Sequence, residues 1–248
     1  MSGEVESDIA AEARFKSESL LDSPATQFQV STLEALIDFL NIQLSDANVY
    51  SLNNNVGILK IYSLYPRVTD TLVIQKILIK CLMQLPAPDF TVCLAQVPLH
   101  VQSHEHVHKI SNLHSLLQSC LFRSFWDNAK AQLDSKPDMT ILDVPGLRDS
   151  VRRFILDILP LVYQQISVPE MRMLLDFDSN SEEFESLLSF CGWNLDQSYD
   201  RNNNEAGSCY SVSRDDVSKF QKGSSQPKVL EKYLRPEAMH YYLSTLHN

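Results

Sequence analysis

Residues 104–108 read His-Glu-His-Val-His. His104, Glu105 and His108 fit H-E-x-x-H, in which two histidines one helical turn apart bind Zn²⁺ and the glutamate activates a bound water. His114, six residues after His108, stands where a third ligand occurs in the longer form of the motif. On an unbroken helix six residues turn the chain by about 600°, which leaves His114 about 120° off the face of the other two. The longer motif solves this with a glycine turn, but Ser111 occupies that position here and lacks glycine's freedom at positive φ. Val107, Ile110, Leu113, Leu117 and Leu121 repeat across it as one apolar stripe, so the spacing predicts a helix that continues through Ser111. A zincin also needs a sheet ahead of its active helix, and residues 30 to 97 read helical. A zinc-dependent hydrolase on His104, Glu105 and His108 is therefore the less favoured reading. Incidental ion binding by His100, His104 and His108 at i, i+4, i+8 stays compatible with the spacing.

Two other patterns carry less chemistry. Asp143-Val-Pro-Gly146 looks like the D-x-x-G of GTP-binding proteins, but the chain has no G-x-x-x-x-G-K-[ST] loop to hold phosphates. It reads as a turn before a helix. Cys81, Cys93, Cys120, Cys191 and Cys209 are odd in number and form no C-x-x-C pair. They suit reduced structural thiols in the cytosol or nucleus, and none has a context that lowers a thiol pKa. No cofactor is implied by these patterns.

The elements that would have to position such groups are helical. The chain has 248 residues, 44% of them hydrophobic, with six glycines and a formal net charge of −10. So few glycines disfavour a turn-rich β fold, and the acidic balance repels nucleic-acid phosphates at long range. The first residues are acidic with no apolar core, unlike a signal peptide. TLVIQKILIKCLMQL is broken by Lys76 and Lys80 and is too short to span a bilayer.

Residues 1–25 read as a flexible acidic tail. Order is expected from STLEALIDFLNIQL, where Ser31 and Glu34 match a capping box and Leu33, Leu36, Ile37, Leu40 and Leu44 recur at helical spacing. LNNNVGILKIYSLYP follows, with Leu52, Val56, Leu59 and Tyr62 as its stripe. The next helix, around Ile74, Ile77, Leu78 and Cys81, is apolar on most sides and should be central. Short helices with short connections up to residue 145 predict a helical-repeat domain of the HEAT or TPR kind over 26–145. Residues 146–216 give an amphipathic helix through Val151, Phe154, Ile155, Ile158 and Val162, kinked at Pro160. Two short helices, a polar loop and a strand at SCYSVS come next, the order of a winged helix. Residues 217–248 read as a linker and a C-terminal helix.

Six segments in order, NVGILKIYSLYP, QKILIKCLMQLPAPDFTVCLAQ, LHSLLQSCLFRSFWDNA, DSVRRFILDILPLVYQQI, FESLLSFCGW and PKVLEKYLRPEAM, resemble the subunit k family of eukaryotic translation initiation factor 3. The likeness covers roughly residues 45–245. It implies a PCI module, a helical-repeat domain followed by a winged helix, shared with proteasome-lid and COP9-signalosome subunits. It also implies a cytoplasmic, non-catalytic scaffold that pairs with subunit l in a complex bound to the small ribosomal subunit. A lid or signalosome subunit is the alternative within the same class. The sequence departs from the family in its long N-terminal tail, in an insertion around Asn202–Asn204 and at Pro160.

Two surfaces are the candidate contacts. The helix expected over Ser181–Gly192 carries Glu182, Glu183 and Glu185, and from Asp176 to Asp200, both included, there are seven acids and no Lys or Arg. Such a helix is repelled by a DNA groove and suits a protein partner, with Tyr210 on the nearby strand as a further contact. In the last segment Met239, Tyr242, Leu243 and Leu246 form a stripe, with Val229, Leu230 and Tyr233 ahead of it. These suit a partner's helices. Lys219, Lys222, Lys228, Lys232 and Arg235 leave an RNA contact open as a further alternative.

Overall fold

The computed structural model describes residues 2–131, 142, 144–177, 182–196 and 209–212. The chain divides into two compact units. One is residues 1–156 with 172–178, and the other is 157–171 with 179–248. The division falls within two helices, Leu147–Val162 and Val168–Leu175.

The first unit is built from helices. They are α1 (Ser2–Asp22), α2 (Leu33–Ser45), α3 (Leu52–Leu64), α4 (Thr71–Leu82), α5 (Asp89–Gln96), α6 (Leu99–Gln102), α7 (Glu105–Gln118) and α8 (Phe122–Ala131), followed by the start of α9 (Leu147–Val162). Consecutive helices pack on one another, α1 on α2 and α3, α2 on α3 and α4, α4 on α5 and α7, and α7 on α8. The apolar run of α4 is central, as its composition predicts. Ile74, Ile77, Leu78 and Cys81 have no exposed surface.

Four local expectations are corrected. The segment expected as a flexible tail is helical over Ser2–Asp22 and lies against α2 and α3. Its packing stripe is Ala10, Ala13, Ser17, Leu20 and Leu21, in which small residues hide the amphipathic signal. The capping box at Ser31 does not form. Thr32 precedes α2 without a side-chain cap, and Ser31 Oγ instead donates to Gln29 Oε1 at 3.1 Å. The inner face of α3 includes Asn54 and Asn55, both fully buried. Asn54 is satisfied by donating to the Leu36 carbonyl at 3.1 Å and accepting from the Ser17 hydroxyl at 2.8 Å. The fourth correction is that Val162, expected in the stripe of α9, is 70% exposed, while Val151, Phe154, Ile155, Leu156 and Leu159 are buried.

Gly146 explains the D-V-P-G turn. Its φ is +76°, and a Cβ there would stand 2.5 Å from the Ala47 Cβ. Only glycine meets both demands, and α9 starts at the next residue.

In the second unit the order after α9 is β1 (Gln165–Ser167), α10 (Val168–Leu175), α11 (Glu182–Phe190), β2 (Trp193–Asp196) and β3 (Cys209–Val212). The strands form an antiparallel sheet in the order β1-β3-β2, with Ile166 opposite Tyr210 and Leu195 opposite Tyr210 on the other side. The strand expected at SCYSVS is β3. Strand β1, three residues long, is too short for alternation to reveal it, and β2 was not expected. Phe184, Leu188, Trp193 and Tyr210 fill this unit's core.

Candidate partner-binding surfaces

The histidine segment lacks the geometry of a zinc site. The chain does not run as one helix from His100 to His108, because α6 ends at Gln102 and α7 starts at Glu105. His104 is the residue before α7, extended at φ −66° and ψ 137°. It therefore cannot share a helical face with His108 as H-E-x-x-H requires. Glu105 is held by Lys109 at 2.6 Å, one turn on, and that hydrogen bond and charge lower its carboxyl pKa. As the stripe predicts, α7 continues through Ser111, and Val107, Ile110, Leu113 and Leu117 are buried. Leu121 does not join them. The helix stops at Gln118, and Leu121 is 52% exposed beyond the turn. His114 faces the core, where its ring stacks on Phe90 with centroids 3.9 Å apart. Burial lowers its pKa. Among the described residues no three His, Cys, Asp or Glu side chains are grouped to hold a metal ion.

Among the described residues the cysteines are not joined in disulfides. Cys81 and Cys93 are both buried with their sulfurs 3.4 Å apart. The hydrogen bond to Cys93 and burial raise the Cys81 pKa, which keeps it a thiol, the unreactive form.

The acidic helix is present as α11, and its sequence dictates which way it faces. Phe184 and Leu188, four apart, are buried at 1% and 0%, and Phe184 meets Tyr210 edge-on with centroids 5.8 Å apart. Glu183 and Glu185 are exposed on either side of that apolar line, and Glu182 lies in the first turn. Acids in the first turn complement the positive end of the helix dipole. Tyr210, expected as a surface contact, is 5% exposed and belongs to the core. Alternation in a strand tells which residues share a face, not which face is inward. Phe190, 89% exposed at the end of α11, was missed. It lies seven residues after Glu183, about −20° round the helix and so on the same flank. Its distance from the Phe184–Leu188 line was the available signal. The residues expected on the C-terminal helix, Val229, Leu230, Tyr233, Met239, Tyr242, Leu243 and Leu246, lie outside the described residues.

The chain leading from α10 toward α11 is fixed within the first unit by a charged clamp. Asp176 has φ +54°, and the Phe177 N–H bonds the Arg172 carbonyl at 3.1 Å. This is a Schellman closure with aspartate where glycine is usual. The Asp176 carboxylate is paired with Lys130 and Arg148. Arg152 donates to the carbonyls of Leu175 at 3.0 Å and Asp176 at 2.8 Å, with its guanidinium 3.7 Å from the centre of the Phe177 ring. Trp126 Nε1 donates to the Leu174 carbonyl at 2.9 Å.

The profile of the CSN8/PSMD8/EIF3K family matches residues 68–213. The chain belongs to that family. Its relatives include eukaryotic translation initiation factor 3 subunit K of Homo sapiens, 30% identical over 172 residues, which span 69% of this chain and 76% of the human protein. The Danio rerio subunit K is 31% identical over 66% of this chain and 70% of its own length. The Dictyostelium discoideum subunit K is 27% identical over 66% and 64%. The matched span of the CSN8/PSMD8/EIF3K family takes in the clamp around Asp176, α11 and the three strands. It excludes α1, α2 and α3.

Proposed function

We propose that this protein is a subunit of eukaryotic translation initiation factor 3, in the place of subunit K, and that it works as a non-catalytic scaffold. The observation that carries the reading is the likeness to subunit K of animals and an amoeba at about 30% identity over two thirds of the chain. The element order α9-β1-α10-α11-β2-β3 supports a winged helix, with α11 in the position of the recognition helix. An acidic α11 with Glu183 and Glu185 exposed suits a protein surface and is repelled by phosphates. On this reading the protein acts in the cytoplasm, pairs with subunit l, and meets the small ribosomal subunit through the assembled factor. No helix among the described residues is long and apolar enough to cross a membrane. The winged helix and the segment after β3 are the docking surfaces.

The test is affinity purification of the tagged chain from its own cells, with partners identified and quantified by mass spectrometry. Stoichiometric initiation-factor subunits, subunit l among them, are expected. Recovery of proteasome-lid or signalosome subunits instead would move the protein to another branch of the same family.

A further inference from the structure

We infer that α1 is a strap that opens as a unit while the helices beneath it stay folded, giving the face formed by α2 and α3 a covered and an open state. This rests on how α1 is seated and is independent of the proposed function. Among residues 10–22 of α1, Ser17 alone is buried. The described stripe against α2 and α3 is Ala10, Ala13, Ser17, Leu20 and Leu21, so residues 10–22 remove little apolar area from water. Phe15, the largest described side chain of α1, points away and is 74% exposed.

Two specific contacts hold the seat. The Ser17 hydroxyl donates to Asn54 Oδ1 at 2.8 Å. One turn later Leu21 sits over Gly57, where an added Cβ would fall 2.6 Å from Leu21 Cδ2. Beside Leu21 the seam is not closed. A cleft of about 180 Å³ lies between Leu21, Asp22 and Phe28 on one side and Asn53, Val56 and Lys60 on the other. The cleft opens to solvent, so water reaches the end of α1 along this side. Beneath it α3 packs on α2 and α5 as well as on α1, and its Ile58, Leu59, Ile61 and Tyr62 are fully buried. Segments with few buried contacts open locally at much lower free energy than the core.

Hydrogen exchange of the full chain, read by mass spectrometry under native conditions, tests this. Amides within 10–22 should exchange on the order of a hundredfold faster than those of 58–62. Ser17→Glu places a charge against buried Asn54, and Gly57→Leu fills the notch. Each should abolish the remaining protection of 10–22 and leave that of 58–62 unchanged. Equal protection of the two segments in the parent chain would overturn the inference. So would loss of both together in the variants, including a variant that fails to fold.

Discussion

The imidazole of His114 lies flat on the ring of Phe90, with centroids 3.9 Å apart and planes 15° from parallel. The contact joins α7 to α5 in the core. A ring so placed is favoured neutral, because burial disfavours the imidazolium and lowers the pKa below its ordinary value of 6.5. Below pH 6.5 the unfolded chain takes up this proton before the folded chain does. His114 therefore contributes stability that is complete above pH 6.5 and is lost as pH falls from there through the folded value. His114→Phe keeps an aromatic stack and removes the titration. Urea unfolding at pH 7 and pH 5 should show a smaller loss of stability in the variant than in the parent. An equal loss in both would mean that His114 does not report on acid sensitivity.

The Asp176 clamp combines a strained backbone with charge. A non-glycine residue at positive φ costs about 1–2 kcal/mol, which the pairing with Lys130 and Arg148 offsets in part. Both cations are nearly half exposed, so the pairs are screened and their contribution is modest. Asp176→Ala keeps the strain and loses both pairs, and should destabilise by about 1–2 kcal/mol. Asp176→Gly loses the pairs but relieves the strain, and should lie within about 0.5 kcal/mol of the parent. Thermal unfolding of the two variants separates the terms. Equal destabilisation would show that the conformation carries no strain.

How far these features were legible depended on the distance over which they are set. The apolar surround of α4, the continuity of α7 through Ser111 and the two glutamates flanking the Phe184–Leu188 line follow from periodicity, which is local. The break before His104 has no glycine or proline at 103–104 to announce it. α1 was hidden because its packing stripe is alanine and serine until Leu20 and Leu21 at its end, too few large apolar residues to mark a helical face. Burial of Asn54 depends on Ser17, 37 residues away, and the clamp joins Asp176 to Lys130 across 46 residues. Neither pairing can be read from one segment. The inward face of Tyr210 depends on Phe184, so alternation alone could not choose it.

Cys120 offers a gain in stability. It has φ +57°, its N–H bonds the Leu117 carbonyl at 3.1 Å, and the Leu121 N–H bonds the Leu116 carbonyl at 2.9 Å. These two bonds close α7 in a Schellman motif whose left-handed position favours glycine. Cys120→Gly should stabilise by about 0.5–1 kcal/mol, the relief of strain exceeding glycine's added freedom in the unfolded chain. The side chain is exposed, so no packing is lost. A lower midpoint in denaturant would show that the thiol makes a contact worth more than the strain.

Lys80 gives the clearest alkaline signature. Its side chain is fully buried in α4, and Nζ donates to the carbonyls of Asp46 at 2.8 Å and Ala47 at 3.3 Å, at the end of α2. Burial lowers its pKa from 10.5 to about 8, against a smaller opposing effect of Asp46. Between pH 8 and 10.5 the unfolded chain holds this proton and the folded chain has released it, so stability attributable to Lys80 rises with pH across that window. At about 1.4 kcal/mol per pH unit the full change approaches about 3 kcal/mol. Lys80→Met fills the same channel without a charge and leaves the two carbonyls to water. It should fold at pH 7 and lack this rise. Unfolding free energies of parent and variant at pH 7.5, 8.5 and 9.5 should therefore diverge, the parent gaining relative to Lys80→Met at each step. Parallel curves would mean that the buried ammonium keeps its proton throughout, held by the carbonyls at the end of α2.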